Sequence, residues 1–450
     1  MKNTLPLRRH VTRKRLIAAA SLTLVGALAL TGCSGSGGAK IDASAPKHLS
    51  GTVSLWHFFT GREAGVVQTA VKGFEKKYPD VKVDVHSGQD DTKLQQAISS
   101  GQNIDVGISY STAIVGSFCS SGAFLNLGQY IKRDKVDLSD IPKVVRGYTS
   151  YKGNQCTLPA LADTSGLLMN TKELAAKGIT TPPKTLDELE ADGLKLTTYN
   201  SDGSIKQLGF NPLMSFEENS PEHFAPMING TWLSKSGKSE IGTSAGWKKL
   251  IEWQKAYVDK IGYAKLQAFT SGLGQEFAAD NPFQTGQVSM VIDGEYRTAF
   301  IQSQKPDLQY SSAPTPVMSG YGTYGASYIA GNVAGIAKGS KHPELAWALL
   351  KYLALNTDAQ VQIGNGLKNV PTITSALDSP KLEVDKNYKT FIDAAKNPAT
   401  ITSPATSDGA AYIGTFTKMW TAYQSGGGDL TAQLKTLDKN IDNENALTGP

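Results

Sequence analysis

Asp90-Asp91, Glu217-Glu218 and Asp293-x-Glu295 are pairs of carboxylates, the equipment of glycoside hydrolysis, in which one carboxyl group protonates the leaving oxygen and the other attacks or activates water. Spacing along a chain does not set separation in space, and neighbouring acids also serve as solvated loop or helix-cap residues. Gly242-Thr243-Ser244-Ala245-Gly246 matches the Gly-x-Ser-x-Gly nucleophile elbow, which needs a strand running into a sharp turn and a helix. The approach over 236–241 is short and polar, so Ser244 is expected to cap the helix carrying Trp247, Leu250, Ile251 and Trp253. Gly320-Tyr321-Gly322-Thr323-Tyr324-Gly325 has dinucleotide-loop spacing, but an extended apolar stretch follows it, and a pyrophosphate would find no helix N-terminus there. Gly237-Lys238-Ser239 resembles the end of a phosphate loop, yet Trp232 occupies the position of its first glycine. The chain is therefore expected not to be an enzyme and to need no cofactor. Its six histidines are scattered singly, without a His-x-x-x-His pair, and no metal site is expected.

Cysteine usage is more informative. Leu30-Thr31-Gly32-Cys33 closes an apolar run over 16–30, behind Lys2, Arg8, Arg9, Arg13, Lys14 and Arg15. The run is short for a bilayer span, and the whole resembles a bacterial lipoprotein signal, cut before a cysteine that then carries acyl chains. Two or more chains anchor stably where one does not. The expected layout is a signal peptide over 1–32 and a lipidated, Ser/Gly/Ala-rich flexible tether over 33–50, with palmitate among the acyl groups on Cys33. The signal holds six of the 45 basic residues and none of the 40 acidic ones, so removing it leaves 39 basic against 40 acidic residues. The basic balance belongs to the precursor and gives no reason to expect nucleic acid as a partner. With Cys33 assigned to lipid, Cys119 and Cys156 remain as an even pair in an oxidising compartment, where a disulfide is expected over two buried thiols.

Any site must be held by the folded part, which is too long for one usual core and predicts two lobes. Residues 52–56 read as a strand; Val67, Ala70, Val71, Phe74 and Tyr78 then recur at helical spacing until Pro79; 81–85 alternates as a second strand. A helix over 93–99 precedes a third strand over 104–108. Such alternation predicts an α/β sheet with ligands beyond the carboxyl ends of its strands. Thr185-Leu186-Asp187-Glu188 is a capping box, Pro343-Glu344 opens a helix lined by Leu345, Leu349, Tyr352 and Leu353, and the mostly helical tail from about 374 breaks at Gly426-Gly427-Gly428.

The order of motifs resembles the family 1 extracellular solute-binding proteins of bacterial ABC sugar importers, the class containing maltose-binding protein. It rests on Phe74-Glu75-Lys76-Lys77-Tyr78-Pro79; Gly122-Ala123-Phe124-Leu125-Asn126-Leu127; Met169-Asn170-Thr171-Lys172-Glu173-Leu174; Phe283-Gln284-Thr285-Gly286-Gln287-Val288-Ser289-Met290 with Asp293-Gly294; and Gly335-Ile336-Ala337-Lys338. The resemblance implies a type II periplasmic-binding-protein-like α/β fold, with the ligand cleft between lobes joined by hinge strands. It implies an N-terminal lobe from 51–161 plus 317–372, a C-terminal lobe from 163–316 plus 373–450, and crossings near 158–164 and 311–316. The implied activity is capture of a mono- or oligosaccharide by hinge closure and delivery to an ABC permease, by a monomer tethered to the outer face of the cell membrane.

A sugar offers an apolar C–H face for an aromatic ring and hydroxyls for carboxylates and amides. The strand-end loops supply Phe58, Phe59, Arg62 and Glu63 after the first strand, and Tyr110 and Ser111 after the third. Asp163 and Thr164 lie at the crossing, Glu295 and Tyr296 follow Asp293-Gly294, and Tyr324, Gly325 and Ala326 form a further rim. Tyr296 stands where the family often places a stacking tryptophan, and Ile104 where a proline commonly precedes the aspartate. Arg62 leaves an anion open as an alternative ligand, beside a polyamine or a metal chelate; a lipid-anchored glycoside hydrolase is the alternative from another class.

Overall fold

A computed structural model of the protein describes residue 41 and residues 44–448. The signal segment, Cys33 and most of the tether lie outside the described residues. Nine strands form one curled sheet: β1 Gly51–His57, β2 Val81–His86, β3 Val106–Ser109, β4 Leu158–Asn170, β5 Thr198–Tyr199, β6 Ile205–Phe210, β7 Val288–Gly294, β8 Tyr310–Ala313 and β9 Ile329–Ile336. Their order is β2-β1-β3-β9-β4-β7-β6-β5, with β8 also on β4.

In the first lobe, β1 pairs in parallel with β2 and β3, because the helices Gly61–Lys77 and Asp91–Ser99 return the chain to the same end. Val67, Ala70, Val71 and Phe74 make the buried stripe of the first helix. The third strand starts at Val106, two residues later than expected. Asp105 bends the chain there, accepting hydrogen bonds from Ser54 N at 2.9 Å and Ser340 Oγ at 2.6 Å. Tyr130 stacks on Trp347, ring centroids 5.3 Å apart, where the helix Pro343–Leu355 closes the lobe. The second lobe packs β6 and β7 against helical layers, around Trp232, Trp247, Phe416 and Trp420.

β4 serves both lobes. Leu158 to Thr164 pair antiparallel with β9, and Ser165 to Asn170 pair with β7 and β8. Its ends are apolar and buried on both faces, as expected of a central strand; the polar run Asp163-Thr164-Ser165 marks where it leaves one lobe for the other. Residues 317–324 hydrogen-bond within the second lobe, Val317 N to Lys184 O at 3.0 Å and Met318 N to Met227 O at 2.8 Å. The chain then enters β9, which pairs with β3 and β4.

Ser244 accepts a hydrogen bond from Trp247 N and caps the helix Ala245–Ile261, and the Thr185/Glu188 capping box forms. The six-residue glycine motif at 320–325 leads into β9, with no helix behind it. No described helix is long and apolar enough to cross a membrane.

Cys119, in the helix Ile114–Ser121, is disulfide-bonded to Cys156 just before β4, with Cα atoms 5.4 Å apart. The bond ties a surface helix to the root of the crossing strand. Because the bridge closes a loop 37 residues long, changing both cysteines to serine is expected to lower stability by about 2–4 kcal/mol, read as a lower denaturant midpoint. Reductant should then shift the native protein to the midpoint of the variant and leave the variant unmoved.

Candidate functional site

Where the two lobes face each other across β4 lies a cleft of about 940 Å³. Phe58, Phe59, Arg62 and Glu63 line it from the end of β1 and the helix after it, and Tyr110 and Ser111 from the end of β3. Asp163 and Thr164 form its floor at the crossing, and Tyr296 faces them from the turn after β7. Nine of the expected residues thus share one cavity, six of them because β1 and β3 run parallel and their carboxyl ends meet at one edge.

Phe58 and Phe59 have ring centroids 4.0 Å apart, and Phe58 meets Tyr110 edge-on at 5.9 Å. Tyr110 is 54 % exposed, a large aromatic surface open to solvent. Asn332 holds its loop through Tyr110 O at 3.2 Å. Arg62 donates to Gly366 O at 2.6 Å and lies beside Glu63 at 3.5 Å. Its guanidinium also sits 5.6 Å from the ring of Phe300 in the second lobe, so one side chain spans the mouth.

Glu295 does not line the cleft. It is fully buried behind the floor, accepting from Thr164 N at 2.7 Å and from Asn369 Nδ2 at 3.1 Å. Asn369 also donates to Asp163, and Tyr388 OH holds Asn369 O at 2.7 Å. Burial raises both carboxyl groups above their ordinary range; the charge of Asp163 pushes Glu295 further, while a hydrogen bond with Glu295 steadies Asp163. Of the two, Glu295 is displaced the further from its ordinary value. Tyr324, Gly325 and Ala326 also stand outside the lining: Ala326 is buried, and Lys184 lies 5.9 Å from the Tyr324 ring on the second lobe.

The second-lobe wall was largely missed. Glu218, Glu222, His223, Phe277, Phe300 and Tyr328 line it, with Asn369 from the first lobe. Only Glu218 had a signal, as half of an acidic pair; the others lie on turns or short helices with no periodicity of their own. Ser215 and Glu217 adopt left-handed backbone, φ 69° and 46°, in the turn that carries Glu218, an uncommon conformation for residues with a Cβ. Tyr296 OH donates to Glu218, and His223 Nδ1 lies 3.3 Å from its carboxylate. Burial alone would raise Glu218; His223 and Tyr296 together hold it below its ordinary value.

Behind this wall, Arg297 pairs with Asp293 at 2.5 Å, both fully buried. Glu218, Glu276 and Asp293 bring oxygens within 4.8 Å of one another, a donor set of the kind hard cations use. Arg297 already takes one Asp293 oxygen, and protons answer much of the remaining charge. Burial, then the neighbouring carboxylates, push Glu276 up to about 9; burial and Asp293 push Glu217 up to about 8.

Residues 69–390 match the family described as bacterial extracellular solute-binding protein. The chain belongs to that family. Among the relatives of this solute-binding protein, the maltotriose-binding protein of Pyrococcus abyssi (strain GE5 / Orsay) is 22 % identical over 337 residues, covering 75 % of this chain and 70 % of the relative. CpMnBP1 with mannotriose bound superposes with a TM-score of 0.77 at 24 % identity, over 87 % of this chain and 99 % of that one. The sugar-binding protein MalE of Xanthomonas citri gives a TM-score of 0.71 at 21 % identity, over 88 % and 98 %. The fold is the two-lobed periplasmic-binding-protein fold.

The raised carboxyls bear on stability. The folded protein keeps a proton on Glu276 that the unfolded chain releases above about 4.5, so this contribution is complete below that pH and is lost as pH rises toward about 9. Glu276→Gln is expected to melt at a higher temperature than the parent at alkaline pH and to converge with it at mildly acidic pH, in thermal scans across that range.

Proposed function

We propose that this protein is a lipid-anchored, extracytoplasmic receptor that captures a carbohydrate by closing its lobes and delivers it to an ABC permease, without covalent chemistry of its own. The observation that carries this reading is the pairing of aromatic rings, the half-buried Phe58 and the exposed Tyr110, with the carboxylates Asp163, Glu63 and Glu218 in one interlobe cleft. Rings take the C–H face of a pyranose, and carboxylates take its hydroxyls in charge-assisted hydrogen bonds. We place the hinge where β4 passes Asp163, at Asn369 and at the entry to β9. Closure is driven by whatever contacts the ligand makes in the closed state and lacks in the open one. Sugar-bound relatives of the same fold support the reading.

Titration calorimetry against a panel of mono- to tetrasaccharides should find a saccharide bound with one-to-one stoichiometry. Tyr110→Ala is expected to weaken it by about tenfold, the upper range of one stacking contact. A protein that binds no saccharide, or that releases product from one, would overturn the receptor reading. Anchoring is tested separately. Cys33→Ser should move the protein from the membrane fraction to the soluble extracytoplasmic fraction; retention on the membrane would remove the lipid anchor.

A further inference from the structure

Carboxylates alone do not set the charge of a ligand, since they accept hydroxyls and ammonium groups alike. Their balance does. Glu63, Asp163, Glu218 and Glu222 line the cleft, and Arg62 is the one permanently charged cation among its lining residues. Arg62 is already engaged, by Gly366 O at 2.6 Å and Glu63 at 3.5 Å. His223 Nδ1 is turned to Glu218, and the same imidazole is the one cationic group acting on Glu222 and Asp163, so four carboxyl groups face one engaged arginine and one shared histidine. Behind the wall, Asp293 is matched by Arg297, so the excess charge is that of the cleft itself.

The carboxyl groups oppose one another. Burial is the larger cause of the raised pKa at Glu63, Asp163 and Glu222, and in each case a neighbouring carboxylate adds in the same direction: Asp163 on Glu63, and Glu218 on Asp163 and Glu222. Aromatic faces stand in the same cavity: Phe58, Tyr110 and Tyr328. Rings and carboxylates around one space suit a cation, which the ring faces attract and the acids neutralise. A uronate or a sugar phosphate would meet the same field as repulsion.

We propose that this cleft selects a saccharide bearing a basic nitrogen, an amino sugar or amino-sugar oligosaccharide with its amine free, over neutral and acidic saccharides of equal length. This rests on the carbohydrate reading above and adds the charge of the ligand to it. The Glu222 and Asp163 carboxylates receive the ammonium group, and a ring of the first-lobe lip covers the sugar.

Calorimetry with a glucosamine trisaccharide, its fully N-acetylated counterpart, a neutral mannose trisaccharide and a uronic acid trisaccharide tests it, at mildly acidic pH where the amine is charged. The free amine should bind about tenfold or more tighter than the N-acetylated and neutral compounds, and the uronate weakest of all. Glu222→Gln should narrow the ratio between amine and N-acetyl compound, and circular dichroism checks that the variant is folded. Equal or weaker binding of the amine, with the neutral saccharides bound, would overturn this inference and leave the carbohydrate receptor standing. Binding of none of the four would overturn this inference, and the wider panel of mono- to tetrasaccharides then decides whether the receptor reading falls with it.

Discussion

Asp163 and Glu295 lie close together at and behind the cleft floor, joined by Asn369; Asp163 comes from the strand that passes between the lobes and Glu295 from the turn after β7. Two carboxyl groups this close disfavour ionisation of both, and burial raises each above its ordinary range, while the Thr164 N–H and the Asn369 amide donate to them. The lobes are thus tied at a small polar knot whose members are already satisfied by one another. Asp163 belongs both to this knot and to the cleft floor, so a ligand that engages it also touches the hinge.

Around that point the two lobes contribute unlike surfaces. The first brings aromatic rings from strand ends that the parallel topology gathers at one edge. The second brings Glu218, oriented by Tyr296 and His223 and braced by a buried Asp293–Arg297 pair. Inside a partly dry cavity each polar group acts more strongly than it would in water, so these few side chains suffice to orient a ligand. Arg62, held to its own lobe by Gly366 and lying over Phe300 of the other, bridges the mouth at one end.

Much of the fold was legible in local pattern. The stripe Val67, Ala70, Val71, Phe74 makes the helix it predicts, the Thr185/Glu188 capping box forms, and Ser244 is a cap and not a nucleophile, because a polar approach cannot make the strand an elbow needs. Cys119 and Cys156 pair. Strand-end loops were legible as cleft residues for the same reason: the alternation of strands and helices dictates which ends face a ligand.

The sequence by itself determined the alternating elements and the first-lobe lip of the cleft, since each depends on neighbours in the chain, and the cysteine count left Cys119 and Cys156 to pair. Only the tertiary structure decided what Glu295 and Glu218 do. Both are acids beside aromatic or acidic residues, indistinguishable in sequence, yet one is enclosed behind the floor and the other projects into the cleft. Burial and charge partners set that difference. The partners, Asp163 and Asn369 for one and Tyr296 and His223 for the other, come together only when distant segments fold onto the same strand.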